Sequence, residues 1–351
     1  MEGSPRRIPA VELQGWAAQV FESSGVPAEH ATWAAETLVA ANLRGVDSHG
    51  VVRLPLNIRR LRQGAINPRP DVRIVNQSPA AILLEGDNGM GLVTGTLAMR
   101  EAVRRAREAG TAAVSVRHSN HFGAAAHYVQ MAAAADLIGL SFTNTDAGMA
   151  PWGSVTAFLG TNPLAFAAPG GLDGGIVVDM ATSQVAWGKV MLAARAGEKI
   201  PLGWATDRAG RPTDDAQVGV KGLMLPLGGY KGYGLALMIE ILCGVLSGSA
   251  VGPRVADDGV QPYRPQDAGH FFVAIDVARF MPIAEFKARM AQMVEEIHAC
   301  QPAEGVERIY VPGEIEAETA ARRRREGIPL PSDLVDDLAQ LGQEIGHPFP
   351  Q

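Results

Sequence analysis

From residue 67 onward, short β-prone apolar runs alternate with longer runs of helical period, and this alternation is the strongest constraint on the fold. Val72–Val75 and Ala81–Glu85 read as strands around a turn at Gln77–Pro79. Leu92–Ala109 reads as a helix closed by Gly110. Ala112–Val116 then reads as a buried strand, Gly123–Ala135 as a helix and Ile138–Thr143 as a strand. Strand and helix in turn predict an α/β domain. Beyond residue 144 loops dominate, with strand-like runs at Leu164–Ala168 and Ile176–Val178. The spacing further predicts a helix over Tyr233–Leu246, a strand over Phe271–Asp276, a helix over Ile283–His298, a strand over Arg308–Val311 and two closing helices.

The segment before residue 67 is helical in pattern. Val11, Trp16, Val20 and Phe21 space as one apolar face, and Gly25 ends that helix. Ala28–Leu43 forms a second helix. Val51, Leu54, Ile58 and Leu61 predict a third, which either starts near Leu54 or kinks at Pro55. No repeat, linker or low-complexity stretch interrupts the chain.

Composition narrows the function. With 47% hydrophobic residues in 351, the chain can bury a large core and is not a disordered tail. Its net charge of −6 argues against nucleic acid or an anionic membrane as partner. The two most apolar stretches, Met131–Phe142 and Leu235–Val251, are interrupted by Asp136 and Glu240, and neither spans a membrane. Met1–Ala10 lacks the apolar run of a secretory signal. Cys243 and Cys300 read as reduced, buried thiols, and the protein as soluble and cytoplasmic. The run Arg322–Arg325, flanked by Glu318 and Glu326, reads as a solvated helix face.

Several motifs fail. Gly89-Met90-Gly91-Leu92-Val93-Thr94-Gly95 is one residue too long for the dinucleotide fingerprint, and no acidic residue stands at a second strand end about 20 positions later. It reads as a turn opening a helix. His118, His121 and His127 suggest a metal site, but no Asp, Glu or Cys lies among them and they do not share a helical face. No metal is therefore expected. Asp47-Ser48-His49 cannot act as a hydrolytic triad, because adjacent side chains diverge.

Other segments carry chemistry. Arg44–Arg53 packs Asp47, Ser48, His49 and Arg53 between apolar helices. If the backbone after Ser48 is helical, His49 and Arg53 lie one turn apart. A histidine can exchange a proton with a hydroxyl or an imine, and an arginine can hold a carboxylate by two prongs. Together they suit a 2-hydroxy or 2-oxo acid. The plain alternative is a Ser48 helix cap beside a surface histidine and a solvated arginine. His121, at a strand end, is either a second site histidine or the cap of a helix start. Gly160–Pro163 and Ile176–Ser183 are strand-adjacent loops, the second of which suits close approach of a phosphate or ribose. Gly228–Gly232 with Lys231 is either an anion cradle or a simple helix-start turn.

Taken in order, Arg44–Gly50, Ser119–Ala124, Ala150–Gly153 with Leu159–Pro163, Asp179–Ser183, Gly228–Leu237 and Val311–Glu314 resemble the type-2 malate/L-lactate dehydrogenase family. The resemblance runs from about residue 10 to about residue 345. It implies an α/β fold with a non-Rossmann NAD(P)-binding domain and a helical domain built from both chain ends. The implied divisions are 1–66 with 312–351 for helices and dimerisation, 67–120 with 270–311 for substrate, and 121–269 for cofactor. It implies a homodimer that uses NAD or NADP on a small carboxylic acid. It makes His49 the acid/base residue supported by Ser48, with His121 as the proton acceptor of some members. Arg53 and Asn144 fall to the substrate. Thr161, Asn162, Asp179, Met180, Ala181, Thr182, Ser183, Lys231, Gly232, Gly313 and Glu314 fall to the cofactor. Reduction of a cyclic imino acid and oxidation of a ureidoglycolate-type substrate are alternatives within the family. Outside it stand a metal-dependent hydrolase built on His118, His121 and His127, and a non-catalytic binding protein.

Overall fold

A computed structural model describes residues 5–350. Its helices are α1 (Ala10–Ser23), α2 (Ala28–Leu43), α3 (Leu54–Arg62), α4 (Gly91–Ala109), α5 (Ala126–Ala134), α6 (Trp187–Ala196), α7 (Ala216–Gly219), α8 (Tyr230–Glu240), α9 (Ile283–His298), α10 (Glu314–Glu326) and α11 (Ser332–Ile345). Its strands are β1 (Arg6–Ile8), β2 (Arg73–Gln77), β3 (Ala81–Glu85), β4 (Thr111–Ser119), β5 (Leu137–Thr143), β6 (Leu164–Ala168), β7 (Ile176–Met180), β8 (Ala205–Thr206), β9 (Pro212–Thr213), β10 (Ala268–Asp276) and β11 (Ile328–Leu330).

Seven strands form the main sheet, in the order β2-β3-β4-β10-β5-β6-β7. Only β3 and β4 run parallel, and every other neighbour is antiparallel. A doubly wound dinucleotide sheet is parallel around a switch point. The fold is therefore α/β with a mixed sheet, which is why the glycine fingerprint fails. Ala98, Met99, Ala102 and Ala106 of α4 give a smooth face that packs on Val114, Val116 and Phe272.

A second core joins the two chain ends. Leu13, Trp16, Ala17, Val20 and Phe21 of α1 are buried at i, i+3, i+4, i+7 and i+8 spacing. They share a cluster with Ile58 of α3, Ile328 of β11 and Leu338 of α11. Val11, expected on that face, is 84% exposed, and Leu13 takes its place. β1 pairs with β11 over three residues, too short a run for the period-2 pattern to register. A third core around Met149, Val190, Ile200 and Met224 is carried mostly by loops.

Three further expectations change, and one choice left open, at Pro55, is decided. Arg308–Val311 is not a strand: Val311 packs on Ile176 and Val294 from an irregular segment, and Pro312 accepts a hydrogen bond from Val177 at the edge of β7. Pro55 does not kink α3 but sits in its first turn, where its missing N–H costs nothing. The helix expected to run to Leu246 starts earlier, at Tyr230, and widens into a π turn over Ile241–Val245. Cys300 is exposed, although Cys243 is buried. No described helix is long and apolar enough to cross a membrane.

Candidate active site

The polar decapeptide after α2 is not one helix. It forms two 3-10 turns, Asp47–His49 and Val51–Arg53, separated at Gly50. Asn42, buried near the end of α2, explains the shape. Its Oδ1 accepts from the Val51 amide at 2.8 Å, and its Nδ2 donates to Asp47 Oδ1 at 2.7 Å. A Cβ at residue 50 would lie 2.2 Å from Asn42 Oδ1, so only glycine lets the chain wrap this amide. Asp47 is held from outside by Arg323 of α10, at 2.7 and 3.0 Å. Arg323 also donates to the Asn42 carbonyl. The arginine run is thus not uniformly solvated: three of its members are exposed and Arg323 is not.

Ser48 caps no helix. Its hydroxyl lies 3.0 Å from His49 Nδ1, and its carbonyl accepts from Arg53 Nε at 3.2 Å. His49 and Arg53 still flank one spot, through this contact rather than through a shared helix face.

His121 follows β4 across the chain from this turn. The start of α4 presses on its backbone: a Cβ on Gly91 would lie 2.0 Å from the Asn120 carbonyl oxygen and 2.6 Å from that of His121. The glycine motif at 89–95 therefore serves close packing against a site residue. Nor does His121 cap a helix, since α5 begins only at Ala126. Its backbone N–H donates to Gln266 Oε1 at 2.7 Å, and its Nδ1 accepts from the Gly123 amide at 3.3 Å. In the neutral ring the proton therefore sits on Nε2.

The rings of His49 and His121 stack with centroids 5.6 Å apart and planes 24° apart. Burial and then Arg53 lower the His49 pKa to about 4. The same two causes push His121 well below the usual histidine value, with His49 and Arg60 adding to them. Both rings are neutral at pH 7. His270 is fully buried, with Nδ1 2.8 Å from Thr143 Oγ1 and Nε2 2.9 Å from Ser119 Oγ. His270 stacks on Phe122 at 4.8 Å, tying the strand ends of β4, β5 and β10 together. Asp146 borders the site, and burial, Asp257 and Asp258 raise its pKa to about 6 against the pull of Arg53.

The segments expected to meet a cofactor divide into framework and surface. Asn144, expected on the substrate, is buried, with its amide committed to Glu240, the Ala250 carbonyl and the Gly269 amide. Asn162 is equally committed, to Glu240, the Ala236 carbonyl and the Thr145 amide. Thr182 Oγ1 donates to the Thr161 carbonyl, and Ser183 Oγ to that of Val185. Glu314 is spent on His298, Arg308 and the Val311 amide. Gly313, at φ 92°, lies where a Cβ would come within 2.9 Å of the Val177 backbone. Ala181 is half-buried, whereas Asp179, Met180 and Lys231 are exposed. Asp179 accepts from the Ala126 amide at the start of α5, on the chain segment that follows His121.

Two places suit the anionic parts of a dinucleotide. Gly228 and Gly229, at φ 58° and 69°, lead into α8, whose first turn presents free N–H groups beside Lys231. Gly232 lets that turn close on Leu227 and Thr182, where a Cβ would meet backbone at 2.3 to 2.8 Å. Elsewhere a cavity of about 370 Å³ is lined by Arg44, Gly174, Gly175, Gly313 and Arg324. Arg44 Nε is buried there without a hydrogen-bond partner.

The three sequence-neighbouring histidines do not converge. His118 pairs with Glu85 at 2.9 Å, and His127 lies edge-on to Tyr128. Among the described residues, no group of three or more His, Cys, Asp or Glu could hold a metal ion. Sequence reading missed His270, Arg60, Gln266 and Asp258, which come from segments with no motif around them.

Residues 8–339 match the family model described as malate/L-lactate dehydrogenase. The chain is 41% identical over 327 residues to the L-sulfolactate dehydrogenase of Methanocaldococcus jannaschii, covering 93% of this chain and 94% of that one. It is 40% identical over 348 residues to the malate dehydrogenase of Pyrococcus abyssi, covering 97% and 95%. The solved structure of the M. jannaschii sulfolactate dehydrogenase superposes with a TM-score of 0.92 at 39% identity, covering 98% of each chain. A mixed sheet without a dinucleotide fingerprint, two stacked histidines beside an arginine, and these matches lead to one placement: the chain belongs to the malate/L-lactate dehydrogenase family.

Proposed function

We propose that His49 is the proton carrier, His121 the hydrogen-bond donor to the reacting oxygen, and Arg53 the anchor of the substrate carboxylate. The protein is an oxidoreductase that transfers hydride between NAD or NADP and a small 2-hydroxy or 2-oxo acid. The observation that carries the role assignment is the stack of His49 on His121 beside Arg53. Of the two rings, His49 meets a hydroxyl that can pass protons onward. His121 has its tautomer set by the Gly123 amide and offers Nε2–H. The bound nicotinamide supplies or accepts the hydride. Lys231, the Tyr230 and Lys231 amides in the first turn of α8, Arg44 and the backbone of Gly313 would hold the cofactor's anionic groups, with Gly232 letting that turn close. Asn144, Asn162, Thr182, Ser183 and Glu314 support the loops that form this surface.

In reduction, Arg53 fixes the acid group so that the neighbouring carbonyl meets both histidines. His121 polarises the oxygen, and His49 delivers the proton as negative charge grows there, while its Nδ1 draws a replacement from solvent through the Ser48 hydroxyl. In oxidation, neutral His49 takes the hydroxyl proton. The same geometry serves an imine, with nitrogen in place of oxygen.

We also propose a homodimer in a reducing, cytoplasmic setting. Leu237, Met238, Ile241, Val245 and Leu246 form an exposed apolar stripe along α8 and its π turn, which a second copy would cover. Both cysteines are free. We assign cofactor binding to 121–269, substrate contacts to 67–120 with 270–311, and dimer-forming helices to 1–66 with 312–351.

The decisive experiment follows absorbance at the reduced-nicotinamide band. NADH and NADPH are each offered with a panel of 2-oxo acids and one cyclic imino acid. Oxidation with at least one acid, abolished in His49→Ala, is expected. Absence of cofactor binding would overturn the reading, and turnover with only the imino acid would move it to imine reduction.

A further inference from the structure

We propose that Asp258 is a resident counter-ion occupying the place of a substrate carboxylate between Arg53 and Arg60, and that substrate binding exchanges one carboxylate for the other. The inference rests on the assignment of Arg53 to the substrate acid.

Arg60 carries the argument. It projects from α3 with a side chain only 1% exposed. One nitrogen, NH2, donates to Asn120 Oδ1 at 2.9 Å and to the Arg264 carbonyl at 3.0 Å. Its Nε and NH1 are buried with no hydrogen-bond partner. A buried, always-charged group with unmet donors is costly, and such groups recur where a ligand completes them. Among the described residues its acidic partner is Asp258, with Oδ2 4.0 Å from NH1. The other oxygen, Oδ1, lies 3.8 Å from Arg53 NH1. One carboxylate thus spans both guanidiniums, too far from either for a hydrogen bond. It balances charge without satisfying donors.

The turn that carries Asp258 is built by its neighbour. Asp257 Oδ1 accepts from the Gly259 amide at 2.8 Å and from that of Val260 at 3.0 Å. Asp258 itself accepts no hydrogen bond among the described residues, so it can swing away without unravelling the turn. A ligand carboxylate reaching both arginines at hydrogen-bond distance would gain charge-assisted contacts that Asp258 does not make. The charge of Arg60 is also felt at His121, so the bridged spot adjoins the reacting groups. Asp258 is thereby a specificity-determining residue: a substrate without an acid group beside its reactive carbon cannot displace it.

The test titrates oxamate, a non-reactive 2-oxo acid analogue, into the NADH-saturated full-length enzyme and its variants. Asp258→Asn and Asp258→Ser should each bind oxamate more tightly, on the order of five- to twenty-fold, because the competing charge is gone. Asp258→Glu, which restores the charge, should return affinity toward that of the native enzyme. Unchanged or weaker binding in both neutral variants, with the native enzyme binding normally, would overturn the exchange alone. A native enzyme that binds NADH but not oxamate would overturn the acid-site assignment and the exchange with it.

Discussion

Arg323 grips both carboxylate oxygens of Asp47, at 2.7 and 3.0 Å, from 276 residues away in the chain. Asp47 opens the 3-10 turn that ends in His49, so a helix near the C-terminus braces the proposed proton carrier near the N-terminus. Arg323→Ala should lower kcat about tenfold with little change in KM, because a loosened ring meets the reacting oxygen less often. Arg323→Lys should recover part of the loss. Melting temperature should fall as well, consistent with about 1–3 kcal/mol for a charged hydrogen-bond pair. A kcat unchanged in steady-state assays would leave the contact purely structural.

Removal of each histidine should separate their roles. His49→Ala should reduce kcat by roughly 10²- to 10⁴-fold, the usual range for a general acid or base. His121→Ala should cost a similar or smaller factor, and His121→Asn or His121→Gln should restore part of it by donating a hydrogen bond without carrying a proton. If the asparagine and glutamine variants are as inactive as alanine while His49→Ala keeps turnover, the two roles are reversed.

Arg53→Ala should act mainly on KM. Loss of a charge-assisted contact of about 1.5–3 kcal/mol corresponds to roughly a 10- to 150-fold increase. Arg53→Lys should not rescue fully, since an ammonium cannot make the two-pronged contact. Initial rates against acid concentration decide this, and a fall in kcat alone would place the carboxylate elsewhere.

Substrate affinity should depend on the protonation of Asp146, whose pKa is raised to about 6. Above pH 6 its added negative charge, with Asp257 and Asp258, opposes an incoming acid; below pH 6 it is neutral. KM should therefore fall severalfold between pH 7.5 and about 5.5. Asp146→Asn should flatten that dependence.

Acid should unfold the protein earlier than its net charge suggests. Burial lowers the pKa of His127 to about 4 and that of His270 to about 3, from 6.5. Above pH 6.5 both states hold these rings neutral. As pH falls below 6.5, the unfolded chain takes up protons that the native state refuses, so stability drops. Each such histidine costs up to about 1.4 kcal/mol per pH unit in that window. Asp146, Asp179 and Asp267, whose pKa values burial raises, work in the opposite sense, three groups against the five histidines whose values burial lowers. Chemical denaturation at a series of pH values would reveal the slope, and His270→Gln should reduce it if the fold is kept.

Residue types and their order carried much of the site. Ser48, His49, Arg53 and His121 stood out because polar groups cluster there among apolar neighbours, and the structure brings the two histidine rings into contact. The cofactor segments were legible as loops, but not which of their side chains face outward. Asn144 and Asn162 illustrate the difficulty: an amide looks equally suited to a ligand and to a backbone, and here both close on Glu240 and nearby carbonyls. Gly91 read only as part of a turn opening a helix, whereas it also allows α4 to press on Asn120 and His121.

The sequence by itself determined the α/β alternation and the helices at both ends, because periodicity is a local property. Only the tertiary structure decided that β3 and β4 are the single parallel pair in the main sheet, that β1 meets β11, and that His270 lies beneath Phe122. It also decided that Arg323 is a brace rather than a solvated charge and that Arg60 points at Asp258. These are contacts between segments tens to hundreds of residues apart. Hydrogen bonding and burial select them, and both depend on which surfaces meet after the chain has folded.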